Sequence, residues 1–451
     1  MTTPRQLDGS ALLLGVATAS FQIEGAATAD GRGPSIWDTF CARPGAIVDG
    51  SDGDVACGSY ERTDEDLDLV RDLGVDIYRF SIAWPRVQPT GSGAVNSAGI
   101  DYYDRVVDGC LARGLRPLPT LYHWDLPQPL EDAGGWPARD TAHRFADYAA
   151  VVAARLGDRV AWWATLNEPW CSAFLGYAAG VHAPGRREPD AAFAAAHHLL
   201  LAHALGAQAV RAAAPDAQVG VVLNLAPVWP EDDDAADAVQ HVDAIQNGIW
   251  LGALVDGAYP KVLPALQDGA LVQDGDLAAI VGSAAWIGIN YYTPFRIATG
   301  AGGSERVQSP HAYPGGPALR FEPRAPMTEM GWEVEPRGLT EALVTTWEKT
   351  RLPLMVTENG AAYADETRAG DGAVDDEDRV AYLRDHLAAT RAAQAAGADI
   401  RAYIAWTLLD NFEWAEGYTK KFGIVEVEPG TLRRIPKRSY RYLAQLAASS
   451  R

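Results

Sequence analysis

Residues 160–169, V-A-W-W-A-T-L-N-E-P, pass from an apolar, aromatic run directly into a polar pair and a proline. A short run of that kind, apolar on both faces and polar only at its C-terminal end, is how a strand of a parallel barrel reads. Working outward, similar apolar or β-branched runs recur at 11–16, 75–82, 116–122, 218–225, 285–290, 353–358 and 402–408. Helical periodicity fills the spaces between them: 61–73 with an acidic start, 97–113 before Gly114, 140–156 before Gly157, 190–214, 234–256, 340–350, and 377–396 before Gly397. Helix and loop are hardest to divide between the fifth and sixth runs. No linker rich in Pro, Gly or Ser interrupts the alternation, and the Gly/Pro-dense stretch 299–317 is short enough to be a loop. Strand and helix alternating eight times predict α/β architecture: a single (β/α)8 TIM barrel domain over 1–451, with long βα loops at its C-terminal face.

Composition narrows the partners. With 451 residues, 48% hydrophobic and 22% charged, the chain can bury a large core. Its net charge of −21 argues against nucleic acid or an anionic membrane as partner, and favours an uncharged or cationic ligand. Cys41, Cys57, Cys110 and Cys171 show no C-x-x-C spacing, so they read as buried thiols in a reducing, cytoplasmic setting. The apolar stretch Ala11–Ala19 has only Arg5 as a basic neighbour and Asp8 beside it, so it reads as a strand and not as a secretory leader. No apolar run reaches transmembrane length.

A barrel puts its chemistry at the C-terminal strand ends, and here each end carries polar or aromatic groups. Gln22 and Glu24 follow the first run, Arg79 lies on the second, and His123 and Trp124 end the third. Asn167 and Glu168, Asn224, Asn290 and Tyr292, then Glu358 and Asn359 follow in order, and Trp406 leads to Glu413 and Trp414. Indole faces against C–H faces, with amides, imidazole and carboxylates for hydroxyls, suit a carbohydrate. Glu168 and Glu358 end the fourth and seventh strands, which face each other across an eight-stranded ring. Two carboxyls converging there match the need of glycoside hydrolysis for an acid on one side and a nucleophile or base on the other.

The motifs T-L-N-E-P (165–169) and T-E-N-G (357–360), with Y-R-F-S-I-A-W-P-R (78–86), L-Y-H-W-D-L-P (121–127), G-I-N-Y-Y-T (288–293) and W-T-L-L-D-N-F-E-W (406–414), resemble glycoside hydrolase family 1, the β-glucosidase family of TIM barrels. The resemblance runs from about residue 11 to about 445. It implies retention of anomeric configuration, with Glu168 as acid/base and Glu358 as nucleophile, about 5–5.5 Å apart. It implies that Arg79 and Tyr292 orient Glu358, that Asn290 supports the pair, and that Asn167 meets the sugar 2-hydroxyl. Gln22, His123, Trp124, Trp406, Glu413, Trp414 and Phe422 would hold the terminal sugar, and Trp170, His182, Asn224 and Trp332 the aglycone.

Glucose is the expected sugar, with galactosidase, fucosidase and transglycosylating side activities. The alternatives are a 6-phospho-β-glucosidase, a dedicated glycosyltransferase and a non-catalytic glycan-binding barrel. Against the first, Glu413 is a carboxylate where a phosphate would sit, and Phe422 stands where relatives acting on phosphorylated sugars carry Tyr, although Lys420 and Lys421 precede it. No cofactor is expected, because neither a Walker loop nor G-x-G-x-x-G is present. No metal is expected: His197, His198 and His203 lack a carboxylate at ligand spacing, and the run Glu231-Asp232-Asp233-Asp234 reads as a solvated helix start. Oligomeric state leaves no signature in the sequence.

Overall fold

Eight short strands carry the architecture: Leu13–Ala17 (β1), Ile77–Ser81 (β2), Arg116–Tyr122 (β3), Trp162–Asn167 (β4), Gln218–Leu223 (β5), Ile287–Asn290 (β6), Leu354–Asn359 (β7) and Ile400–Trp406 (β8). The computed structural model describes residues 12–302, 308–370 and 372–449; Ala11, the first residue of the apolar stretch, lies outside them. Each strand pairs in parallel with its sequence neighbours, and β1 pairs with β8 from Leu13↔Ala402 to Ala17↔Trp406, which closes the ring. Every residue of β2 and β7 is buried, because their inward faces fill the barrel and their outward faces lie under helices. That two-sided burial explains why the runs are continuously apolar instead of alternating.

The helices follow the predicted pattern: Thr63–Leu73 (α1), Ser97–Ala112 (α2), Asp140–Leu156 (α3), Pro189–Ala213 (α4), Ala236–Asp243 (α5), Pro336–Thr350 (α6), Glu377–Ala395 (α7) and Arg438–Ser449 (α8). α1 has Asp64, Glu65 and Asp66 in its first turn and stops at Gly74, whose φ of 77° few other residues adopt. Gly157 ends α3 for another reason. Its φ is −68°, and a Cβ there would lie 2.5 Å from the Ala153 carbonyl oxygen. α6 starts four residues before the predicted 340, with Pro336 in the first turn and the Glu335 carboxylate capping Arg337 N.

The segment between β5 and β6 departs most from expectation. The helix predicted over 234–256 begins at Ala236 and continues through π-helical turns at Ala244–Gly248 and Gly252–Asp256. Three short strands, Val228–Pro230, Phe295–Thr299 and Leu319–Phe321, form a separate sheet above the barrel. The acidic run is partly tied to that sheet and does not serve only as a helix start. Glu231 pairs with Arg324 at 2.9 Å, and Asp232 accepts from Thr299 N at 3.0 Å.

The histidine helix makes a contact that sequence spacing does not reveal. His197 does meet a carboxylate, but one far away in sequence: Nε2 lies 2.9 Å from Asp276 Oδ2. Arg139 engages both oxygens of Asp276, at 2.7 and 2.5 Å, which makes the cluster an ion-paired brace between helices. A second buried network ties the C-terminus to the barrel mouth. Lys437, fully buried, reaches Asp365 at 2.5 Å and Asp410 at 2.7 Å, while Arg379 pairs with Asp365 and Asp376 and donates to the Lys421 carbonyl at 2.6 Å. Among the described residues no helix is long and apolar enough to cross a membrane.

Candidate active site

The ring register sets the site. Arg79 on β2 pairs with Ala17 on β1, which pairs with Trp406 on β8, while Glu358 on β7 pairs with Asn290 on β6. Arg79 is buried and sends Nη1 to Glu358 Oε1 at 2.5 Å and Nη2 to Asn167 Oδ1 at 2.7 Å. The Tyr292 hydroxyl donates to Glu358 Oε2 at 2.7 Å, so both carboxylate oxygens are held. Gly360 explains the end of the T-E-N-G motif: a Cβ there would lie 1.8 Å from the Trp406 carbonyl oxygen, closer than any other residue could come.

Opposite, Glu168 is buried and takes a hydrogen bond from Asn290 Nδ2 on Oε1 at 2.7 Å. Burial raises its pKa well above the ordinary carboxylate range, and the nearby negative charge of Glu358 raises it further. Its backbone has φ 43°; Trp124 and Trp414, also on the cavity wall, have φ 77° and 48°. A non-glycine residue with positive φ is strained, and three of them around one cavity is the pattern of a functional site.

The cavity has a volume of about 520 Å³. Most residues singled out in the sequence line it: His123, Trp124, Glu168, Asn290, Tyr292, Glu358, Trp406, Glu413, Trp414 and Phe422 on the inner side, with Trp170, His182, Asn224 and Trp332. Gln22, Arg79 and Asn167 stand behind this wall, fully or almost fully buried.

Donor geometry decides what the inner groups can offer. Arg79 can only donate, so its bond fixes the Asn167 amide with oxygen toward the guanidinium. Asn167 Nδ2 then faces His123 Nε2 at 3.1 Å, which makes that ring nitrogen an acceptor and puts the imidazole hydrogen on Nδ1. His123 Nδ1 is buried without a partner, and burial together with Arg79 keeps the ring neutral. Gln22 is fixed the same way: Nε2 donates to the Phe412 carbonyl at 2.8 Å and Oε1 is left buried and unpartnered. A buried donor and a buried acceptor without partners are what a polyhydroxylated ligand would satisfy. Glu413 lies 3.5 Å from Gln22 Nε2, and burial plus the repulsion of Glu358 and Glu168 pushes its pKa up to about 8.

Trp124 has a narrower role than the sequence suggested. Its indole N–H is spent on the Asn167 carbonyl at 2.9 Å, so only its ring is available, packed 4.5 Å from Trp414. Lys420 donates to the Glu329 carbonyl at 2.8 Å, and neither it nor Lys421 lines the cavity. On the outer side His182 packs against Trp37 and Trp124, and burial pushes its pKa down to about 3. The sequence did not single out Tyr313 and Gln246, which line the wall and bond each other at 2.7 Å, or Arg43 and Arg187. It read Cys171 only as a buried thiol, and in the structure Cys171 Sγ, buried, lies 3.1 Å from Glu168 Oε2. An i, i+3 spacing from Glu168 was the one available signal.

The sequence profile of glycosyl hydrolase family 1 matches residues 9–451. The chain belongs to glycosyl hydrolase family 1. This family 1 glycoside hydrolase is 46% identical over 441 residues to a beta-glucosidase of Agrobacterium sp., covering 97% of this chain and 94% of that one. It is also 46% identical over 455 residues to a bifunctional beta-D-glucosidase/beta-D-fucosidase of Bifidobacterium breve, with 97% of each chain covered. Among solved structures, a family 1 β-glucosidase from Thermotoga maritima superposes with a TM-score of 0.90 at 39% identity, over 98% of both chains. The virulence factor SghA, in complex with its substrate analog salicin, superposes with a TM-score of 0.90 at 44% identity, over 97% of this chain and 96% of that one.

Proposed function

We propose that this protein is a retaining, exo-acting β-glucosidase that removes terminal β-D-glucosyl residues from oligosaccharides or aryl and alkyl glucosides. The observation that carries the reading is the asymmetry of the two carboxyls: Glu358 is gripped by Arg79 and Tyr292, while Glu168 is buried with its pKa raised. An oriented carboxylate suits attack on the anomeric carbon, and a carboxyl that stays neutral to higher pH suits protonation of the leaving oxygen. Glu358 forms a glycosyl-enzyme as the aglycone departs with the proton of Glu168. Glu168, now ionised, takes a proton from the incoming water, and the sugar leaves with its configuration retained.

His123 Nδ1, Gln22 Oε1 and Glu413, with the second N–H of Asn167 Nδ2, supply donors and acceptors for the sugar hydroxyls, with Trp406 and Trp414 as apolar faces. Glu413 at the cavity wall and the engagement of Lys420 elsewhere favour an unphosphorylated sugar over a 6-phosphate. The relative named as a bifunctional glucosidase/fucosidase supports a fucosidase side activity. We read the chain as one barrel domain. The unpaired thiols suit a cytoplasmic location.

The test is hydrolysis of 4-nitrophenyl β-glucoside. Glu358→Gly abolishes turnover, and added azide restores it with an α-glucosyl azide product; full activity in that variant would overturn the assignment.

A further inference from the structure

Glu168 has one oxygen facing an amide and the other facing a thiol. The amide side is fixed through a chain of bonds that begins at Arg79. Asn167 Oδ1 must face the guanidinium, and the same oxygen takes Asn290 Nδ2 at 3.0 Å. Asn290 Oδ1 in turn accepts from Thr357 Oγ1 at 2.7 Å, so Nδ2 is the atom that meets Glu168 Oε1. Oε1 therefore acts as an acceptor, and Oε2 is left to carry the hydrogen when the carboxyl is neutral.

Oε2 lies 3.1 Å from Cys171 Sγ, with both side chains buried. The backbone builds this contact. Glu168 sits at φ 43°, and Cys171 N donates to the Glu168 carbonyl at 2.9 Å, closing a tight turn that brings the thiol back over the carboxyl. Asn224 Nδ2, on the other side, lies 3.7 Å from the same sulfur and donates toward it, which leaves the S–H free to point at Glu168.

We propose that Cys171 is a positioning residue for Glu168, holding Oε2 through a hydrogen bond that reverses direction as the carboxyl loses and regains its proton. The inference rests on the acid/base role proposed above. With Glu168 neutral, its O–H leans on the sulfur. Sulfur is a weak acceptor, so the hydrogen passes readily to a glycosidic oxygen. Once that proton has left with the aglycone, the S–H turns toward the carboxylate and steadies it until water restores the acid. No proton moves to or from sulfur: burial, with Glu168 beside it, keeps the thiol protonated.

Serine is the stronger donor and stabilises the ionised form more; alanine offers no hydrogen bond at all. The other groups acting on Glu168 are unchanged in both variants: Glu358 and Arg79 on β7 and β2, Asn290 on β6, Tyr292 after β6 and Glu413 after β8.

The experiment measures the pH dependence of kcat/KM for wild type, Cys171→Ala and Cys171→Ser on two substrates. Phenyl β-glucoside needs its leaving group protonated, whereas 2,4-dinitrophenyl β-glucoside does not. On phenyl glucoside the alkaline limb moves up by about half a pH unit in Cys171→Ala and down by a similar amount in Cys171→Ser. On the dinitrophenyl substrate both variants stay within about threefold of wild type. Limbs that do not move, or that move in the same direction in both variants, overturn the proposal, as does an equal loss on both substrates. Absence of wild-type turnover, or an alkaline limb that survives in Glu168→Gln, overturns the acid/base reading itself and this proposal with it.

Discussion

Arg79 Nη1 meets Glu358 Oε1 at 2.5 Å, with both side chains shut away from solvent. The same guanidinium reaches Asn167, and a lysine ammonium, a point charge on a flexible stem, cannot reproduce that fork. Arg79→Lys is expected to lower kcat/KM on aryl glucosides by about a hundredfold or more, as steady-state kinetics will report. Activity near wild type would contradict the clamp.

Tyr292→Phe removes the hydroxyl that donates to Glu358 Oε2 and keeps the ring that packs 5.2 Å from Trp332. A charge-assisted bond of this kind makes the expected loss in kcat/KM about tenfold to a hundredfold. Unchanged thermal unfolding of the variant will show that the loss is local.

Glu413 supplies a stability test with a defined sign. Its folded pKa is raised to about 8, so below the unfolded value of about 4.5 the folded state keeps its full contribution, which is lost as pH rises toward 8. Glu413→Gln carries no such penalty. Its melting temperature should match wild type near pH 4 and exceed it by about a few degrees at pH 8. The same variant should bind glucose-configured substrates less well, seen as a higher KM. A variant less stable than wild type at pH 8 would contradict the burial of an uncompensated carboxyl.

Lys437→Ala removes the ammonium that Asp410 pairs with and leaves Asp365 with Arg379 alone, in a buried network. Removing one member of a buried ion network costs about 3–5 kcal/mol, measurable by urea unfolding. Lys349→Ala, which breaks an exposed pair with Asp256, should cost well under 1 kcal/mol.

The barrel was legible because strands buried on both faces leave continuous apolar runs, and V-A-W-W-A-T-L before Asn167-Glu168 is one of them. The sheet of Val228–Pro230, Phe295–Thr299 and Leu319–Phe321 was not. Strands of three to five residues over the barrel mouth show too little periodicity to be told from loop. Among site residues, those at strand ends could be named from position alone. What each can offer could not, since Trp124 loses its N–H to Asn167 and His123 gains a defined tautomer only through contacts with a residue more than 40 positions away in sequence. The pairing of His197 with Asp276 was hidden for the same reason: 79 residues separate them.

The three carboxyls Glu168, Glu358 and Glu413 all line the cavity, with Arg79 behind Glu358, and the cavity's only lining Lys or Arg side chains among the described residues, Arg43 and Arg187, are solvent-exposed. Glu358 is the carboxylate that a positive centre would meet first, and such a centre would also ease the ionisation of Glu168 and Glu413, whose pKa values burial and mutual repulsion raise. On the reading proposed above, a sugar ring that turns briefly cationic at its anomeric carbon meets the Glu358 carboxyl, and so does a ring-shaped amine of similar size. Such an amine is expected to bind more tightly than the sugar it imitates, because its positive charge is permanent where the sugar's lasts only for the moment of bond cleavage.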